Sequence, residues 1–290
     1  MFRTGKSLVR RYGLLACLLF TLSSVVTAAP EPVETRSSVK FGFFPIISTV
    51  ALFKRFSPLR DYLSDTFGLK VELETAKNFP TFYQRTNQGE FDLVITAPHF
   101  AVRAADSGRY EIVATLVKPV QQVFVVHKNS KFKSIEDFAG KKIATPPASA
   151  LMTMMGKAFL RQHGLDNNKK PTFQAYTSHN AANEALLAGE VVAAIASTNV
   201  VNKAIKQGEP LRIIARGLRL PNMATLVASD LNDDLKKKIR DAFIGMNDTE
   251  QGQQVLKKIG LPGYKPATNK DYEPARPYME LANEIYNMKF

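Results

Sequence analysis

Twice along this chain short apolar runs alternate with runs of helical period, and this alternation limits the fold more than any other feature. "VKFGFFP" (39–45) reads as a buried strand. The next stretch, 48–68, places Leu52, Phe56, Leu59, Leu63 and Phe67 three or four residues apart and stops at Gly68, which predicts an amphipathic helix. Strands follow at 69–76, 91–97 and 110–117, with a short helix ending at Gly89 and another begun by Pro98 between them. The same grammar returns after residue 121, with strands at 122–128, 142–145, 171–177 and 191–197. Between them come a helix over 134–141 capped by Ser134, a helix running to His163, and a helix over 178–190. Residues 211–217 and 224–229 read as strands, and the last sixty residues as helix. Strand–helix–strand order implies right-handed crossovers and mainly parallel sheets covered by helices on both faces. We therefore expect an α/β protein of two lobes. One is built from 39–121 and 224–290, the other from 122–223, with the chain crossing between them near 118–124 and 217–225.

In an open α/β sheet, ligands bind beyond the carboxyl ends of the strands. "IATPPASALMTMMGKAF" (143–159) has that form: a strand, a Pro-rich turn, Ser149, then a helix. Backbone N–H groups at such a helix start, together with the positive end of its dipole, suit an anion. Serine is also a favoured helix cap, so the turn either holds a ligand or only starts a helix. Met152, Met154 and Met155 read as core filler. Of the four histidines, His127 and His163 read as structural, whereas His99 and His179 each lie just past a strand end. None pairs with another histidine or a carboxylate at metal-ligand spacing, so neither a metal nor a cofactor is expected. No hydrolase elbow, zinc-protease helix, phosphate-binding P-loop or dinucleotide fingerprint is present in the sequence, and no enzyme activity is expected.

The first 29 residues differ from the rest. Arg3, Lys6, Arg10 and Arg11 precede "LLACLLFTLSSVV" and then "TAAP", the layout of a secretory signal peptide cleaved after Ala28 or Ala29. "LLAC" (14–17) resembles a lipoprotein box, but the apolar run before Cys17 is too short for one. Residues 30–38 read as a flexible lead-in. Cys17 is the only cysteine, so a mature chain has no disulfide and no thiol nucleophile. Removing the four leader bases from a net charge of +13 leaves 35 basic and 26 acidic residues, a net +9. Such a surface can favour nucleic acid, membranes or small anions, or serve only as a solvated face; outside the cytoplasm nucleic acid fits least, and no arginine-rich run or RNA-binding aromatic motif is present in the sequence.

The residues also carry a likeness. "FFPIISTVALFKRFSPLRDYLSDTFGLKVEL", "GEFDLVITAPHFAVRA", "SIEDFAGKKIATPPASA", "SHNAANEALLAGEVVAA" and "YKPATNKDYEPARPYMELA" occur in that order over about 39 to 288. Together they resemble the periplasmic phosphate/phosphite/phosphonate-binding proteins of ABC transporters. The resemblance implies a two-lobed, Venus-flytrap architecture (the type II periplasmic binding protein fold), working as a monomer in the periplasm. Such a protein closes on a small anionic solute and presents it to an ABC permease in the inner membrane or, alternatively, to a membrane sensor with a non-phosphorus ligand. The family's turn P-x-S-T-S-G survives here as Ser149 alone, followed by Ala150 and Leu151. Its histidine matches His179 and its closing aromatic matches Phe79. Its acids fall at Val192, near Asn199 in "STN", and near Asn222 or Met223, while its tyrosines give way to Val120, Gln121 and Gln122. The ligand-binding set implied is Phe79, Pro98, His99, Gln121, Gln122, Ser149, Ala150, His179, Ser197 and Asn199. Hydrogen bonds to a charged ligand contribute ~1.5–3 kcal/mol each, so losing two hydroxyls should redirect the site toward a different or larger organic anion.

Overall fold

The computed structural model describes residues 37–286 apart from 149, 167 and 168. The leader peptide, its cleavage site and the lead-in as far as Arg36 lie outside the described residues, as does Ser149. Two sheets organise the chain. The first has six strands: β1 (Ser38–Phe43), β2 (Lys70–Glu74), β3 (Leu93–Thr96), β4 (Tyr110–Leu116), β10 (Ala224–Ala228) and β11 (Tyr264–Pro266), in the order β11-β4-β10-β3-β1-β2. The second has five: β5 (Val120–His127), β6 (Lys142–Thr145), β7 (Thr172–Ala175), β8 (Ala193–Ser197) and β9 (Leu211–Leu220), in the order β7-β6-β8-β5-β9.

In the first sheet β1, β2, β3 and β4 run one way; in the second, β6, β7, β8 and β9 do. By pairing, however, both sheets are mixed, because β10 is antiparallel to β3 and β4, and β5 is antiparallel to β8 and β9. The hinge dictates this. β4 leaves the first sheet for the second and β10 comes back beside it, so the two must oppose; β5 arriving and β9 leaving oppose for the same reason.

The helices follow from the apolar spacing. In α1 (Thr49–Phe67), Leu52, Phe56, Leu59, Leu63 and Phe67 are buried; the Ser48 hydroxyl accepts from the Ala51 N–H, and Gly68 closes the helix at φ 66°. On β5, Val123 and Val125 face one core and Phe124 and Val126 the other, the period-2 signature of a strand covered on both sides. Met154 and Met155, on α4 (Leu151–Gln162), are buried in the core that also holds the first sheet.

Three readings need correction. Residues 134–141 form a single 3-10 turn, Glu136–Phe138, in which the Asp137 carboxylate, not Ser134, accepts the Lys133 and Ser134 N–H groups at 2.7 and 3.1 Å. The Asp137 carboxylate ties down the backbone ahead of the turn, and no side chain caps the turn itself. The last sixty residues are not continuously helical: β11 and a 3-10 segment, Asn269–Ala275, interrupt α7 (Asp233–Gly245), α8 (Glu250–Ile259) and α9 (Arg276–Tyr286). A three-residue strand is too short to show a period. Finally, α4 is capped at Ala150, one residue beyond Ser149.

Candidate ligand-binding site

β3, β6, β7 and β8 each end at the gap between the sheets, and each is followed there by a helix: α3 (Pro98–Asp106), α4, α5 (His179–Leu187) and α6 (Thr198–Lys206). Pro98, Leu151 and His179, the first residues of α3, α4 and α5, line a cavity of about 680 Å³ with Asn199 of α6, and Phe79, the first residue of α2 (Phe79–Asn87), joins them. The cavity therefore gathers helix N-termini from both sheets, the end of a helix that carries positive potential and unsatisfied N–H donors.

Capping divides these termini into two groups. Ser48, Asn78, Ser178, Asn232 and Thr249 accept a first-turn N–H with their side chains and so cap α1, α2, α5, α7 and α8. At α3, α4 and α6 the cap residues are Ala97, Ala150 and Ser197, and none makes a side-chain cap bond. All three of these cap residues line the cavity. Nearby bonds hold the turns in place: the Thr153 hydroxyl donates to the Pro146 carbonyl at 3.2 Å, and the Thr198 hydroxyl to the Gln121 carbonyl at 3.1 Å.

His99 is only 2% exposed, its ring lies 4.1 Å from that of Phe100, and neither ring nitrogen has a partner. Burial alone drives its pKa down to about 3. His179, whose Nδ1 is also unpartnered, is driven down to about 4 by the same cause. Both are therefore neutral at neutral pH, and each offers one donor and one acceptor. No lysine, arginine, aspartate or glutamate is among the described lining residues. Much of the remaining wall is apolar, including the stacked Phe44 and Phe79 rings 4.3 Å apart. Positive charge lies just outside, where Lys118, Lys203 and Lys206 line an open groove of about 830 Å³ that shares Asn199, Asn222 and Met223 with the cavity.

Phe79, Pro98, His99, Ala150, His179, Ser197 and Asn199 come together in this lining. Gln121 and Gln122 do not. Gln121 Nε2 donates to the Gly217 carbonyl at 2.8 Å, and Gln122, 1% exposed, presses its amide against Gly217, where a side chain would leave it no room. Phe44, Ile46, Thr177, Ser178 and Val200 also line the cavity, although none of them stood in the expected binding set. Phe44, Ile46, Thr177 and Ser178 follow the ends of β1 and β7, so the strand-end rule was the signal that could have found them. Asn222 also braces the return crossing: its Nδ2 donates to the Lys118 carbonyl at 2.9 Å and its backbone carbonyl accepts from the Tyr272 hydroxyl at 2.8 Å.

Residues 41–272 match the family model described as ABC transporter, phosphonate, periplasmic substrate-binding protein. The chain belongs to that family. A curated relative, the phosphonates-binding periplasmic protein of Escherichia coli, is 20% identical over 288 residues, 93% of this chain and 84% of its own. Among solved structures, a Xanthomonas citri protein bound to ATP aligns at TM-score 0.72 and 13% identity, covering 86% of this chain and 99% of its own. A Prochlorococcus marinus protein in complex with methylphosphonate aligns at 0.68 and 18%, covering 87% and 98%. These structural likenesses establish the two-lobed periplasmic-binding fold. Among the described residues of this family member, no helix is long and apolar enough to cross a membrane.

Proposed function

We propose that this protein is exported and captures a phosphonate- or phosphate-like oxyanion in the cavity, then delivers it to an ABC permease in the inner membrane. The observation that carries the reading is the set of three helix N-termini, α3, α4 and α6, left without side-chain caps where their cap residues line one cavity. An oxyanion is the natural partner for such donors. Phe79, Pro98, His99, Ala150, His179, Ser197 and Asn199 supply the walls. Ser149 joins them on the strength of its motif alone. The reading needs no catalytic step: a ligand that binds the closed lobes better than the open ones shifts the population, and the permease reads the closed form.

The test is a thermal-shift screen of the chain from about residue 30 against phosphate, phosphite, methylphosphonate, sulfate, ATP and small carboxylates, with calorimetry on hits. A ligand at one hundred times its Kd adds ~2.7 kcal/mol of stability. A phosphorus oxyanion among the tightest ligands is expected. Saturable binding of carboxylates alone would overturn the phosphonate reading and favour a different solute.

A further inference from the structure

The wall of the cavity bears on what the anion carries. Three kinds of group line the space: helix starts without side-chain caps, neutral polar side chains, and apolar surface. The polar side chains of the described lining are His99, Thr177, Ser178, His179, Ser197, Asn199 and Asn222, and no carboxylate stands among them. His99 is the independent sign that a ligand belongs here, because it is more than nine-tenths buried in this lining and both ring nitrogens lack a partner. An unpaired buried polar group is costly, and a bound anion with hydrogen-bonding oxygens relieves it.

An ammonium group would find the opposite situation. It would leave water for a space ringed by the positive ends of helix dipoles, with no carboxylate to pair with. Asn199 is exposed at the start of α6 and offers at most a neutral carbonyl. Asn222 is already engaged in the hinge, accepting from the Met223 N–H at 2.8 Å and donating to the Lys118 carbonyl. Phe44 and Phe79 are stacked on one another, which takes one face of each ring from a cation. An uncharged hydrocarbon substituent, by contrast, has Phe44, Ile46, Phe79, Val120, Leu151 and Met152 to lie against. At about 680 Å³ the space also accepts more than an anionic head.

We infer that, within the phosphonate reading on which this rests, the cleft selects alkyl or aryl phosphonates with an uncharged apolar substituent and rejects those bearing an ammonium group. Asn199 is a specificity-determining position, since a carboxylate there would supply the missing counter-charge.

The decisive pair is n-propylphosphonate and 2-aminoethylphosphonate, which have the same heavy-atom skeleton and differ in a terminal methyl against a terminal ammonium. Calorimetry is done above the second phosphonate ionisation of both compounds, so that the heads carry equal charge, with methylphosphonate and inorganic phosphate alongside. The propyl compound is expected to bind at least tenfold tighter, a difference of about 1.4 kcal/mol. Asn199→Asp, a change that suits the first turn of a helix, should cut that ratio at least fivefold by improving 2-aminoethylphosphonate binding. A ratio below ten, parity, or preference for the ammonium compound overturns the inference while leaving the phosphonate reading in place. An unchanged ratio in Asn199→Asp overturns the assignment of Asn199. Absence of binding by all four compounds overturns the phosphonate reading itself, and the inference falls with it.

Discussion

Two neutral histidines inside one cavity should make this protein lose stability on mild acidification, well before its carboxylates titrate. His99 and His179 have their pKa values lowered by burial from 6.5 to about 3 and about 4. Unfolding releases each to its ordinary value near 6.5. Between the folded and unfolded values the unfolded chain binds more protons, so stability rises with pH there and is lost as pH falls. The stabilisation is therefore complete above about pH 6.5 and drains away toward pH 4 and pH 3. From pH 7 to pH 5 the linkage integral gives ~2 kcal/mol for His99 and a slightly smaller loss for His179, or ~4 kcal/mol together. Asp137 and Asp271 are held below their ordinary 3.8 by backbone N–H donors, so their contribution is lost only at lower pH. The assay is urea unfolding of wild type and of the double variant His99→Gln, His179→Gln at pH 7, 6 and 5. Only the pH slopes are compared, since the variant has its own starting stability. Wild type should lose ~4 kcal/mol more than the variant over that span. Equal slopes would refute the reasoning, because they would mean that the two rings are protonated in the folded protein at no cost.

Two further outcomes test the cavity itself. Ser149→Ala should weaken oxyanion binding about tenfold, the worth of one hydrogen bond to a charged ligand, without lowering the Tm of the free protein, because the cap of α4 is Ala150; unchanged affinity by calorimetry would place the site's donors elsewhere. Lys203→Glu with Lys206→Glu should slow association several-fold and abolish its salt dependence while leaving dissociation unchanged; a change confined to the dissociation rate in stopped-flow would mean that these lysines touch the ligand.

The sequence shows the elements more readily than the pairing. Leu52, Phe56, Leu59, Leu63 and Phe67 mark α1 because a helix buried on one face must repeat every three or four residues. The direction of β5 and β10 leaves no such mark. It follows from which lobe the chain comes from, a non-local fact that periodicity in a single run does not carry. The site divides in the same way. His99 and His179 are visible because they follow strands in a regular α/β alternation, and strand ends in such sheets converge, whereas Ser197 and Asn199 enter through the family likeness alone. Gln121 and Gln122 were placed in the cleft by likeness alone, and the pleat of β5 together with Gly217 turns them elsewhere. Thr177 and Phe44 line the cavity through backbone course, without any distinctive residue type.

In the proposed reading, a cleft that takes an anion without one lysine or arginine in its described lining is physically economical. A buried lysine would lose its charge to desolvation, or would need a carboxylate beside it that also repels the ligand. Helix N–H groups have neither difficulty. They are fixed by the backbone, cannot titrate, and are needed by no side chain at α3, α4 and α6. The groove lysines, by contrast, remain in water, where their charge costs nothing and acts over about a Debye length of 8–10 Å. Attraction and binding are thereby divided between two sets of groups. Salt should therefore slow capture of the anion, while the affinity of the closed cleft rests on short, desolvated hydrogen bonds that salt screens much less.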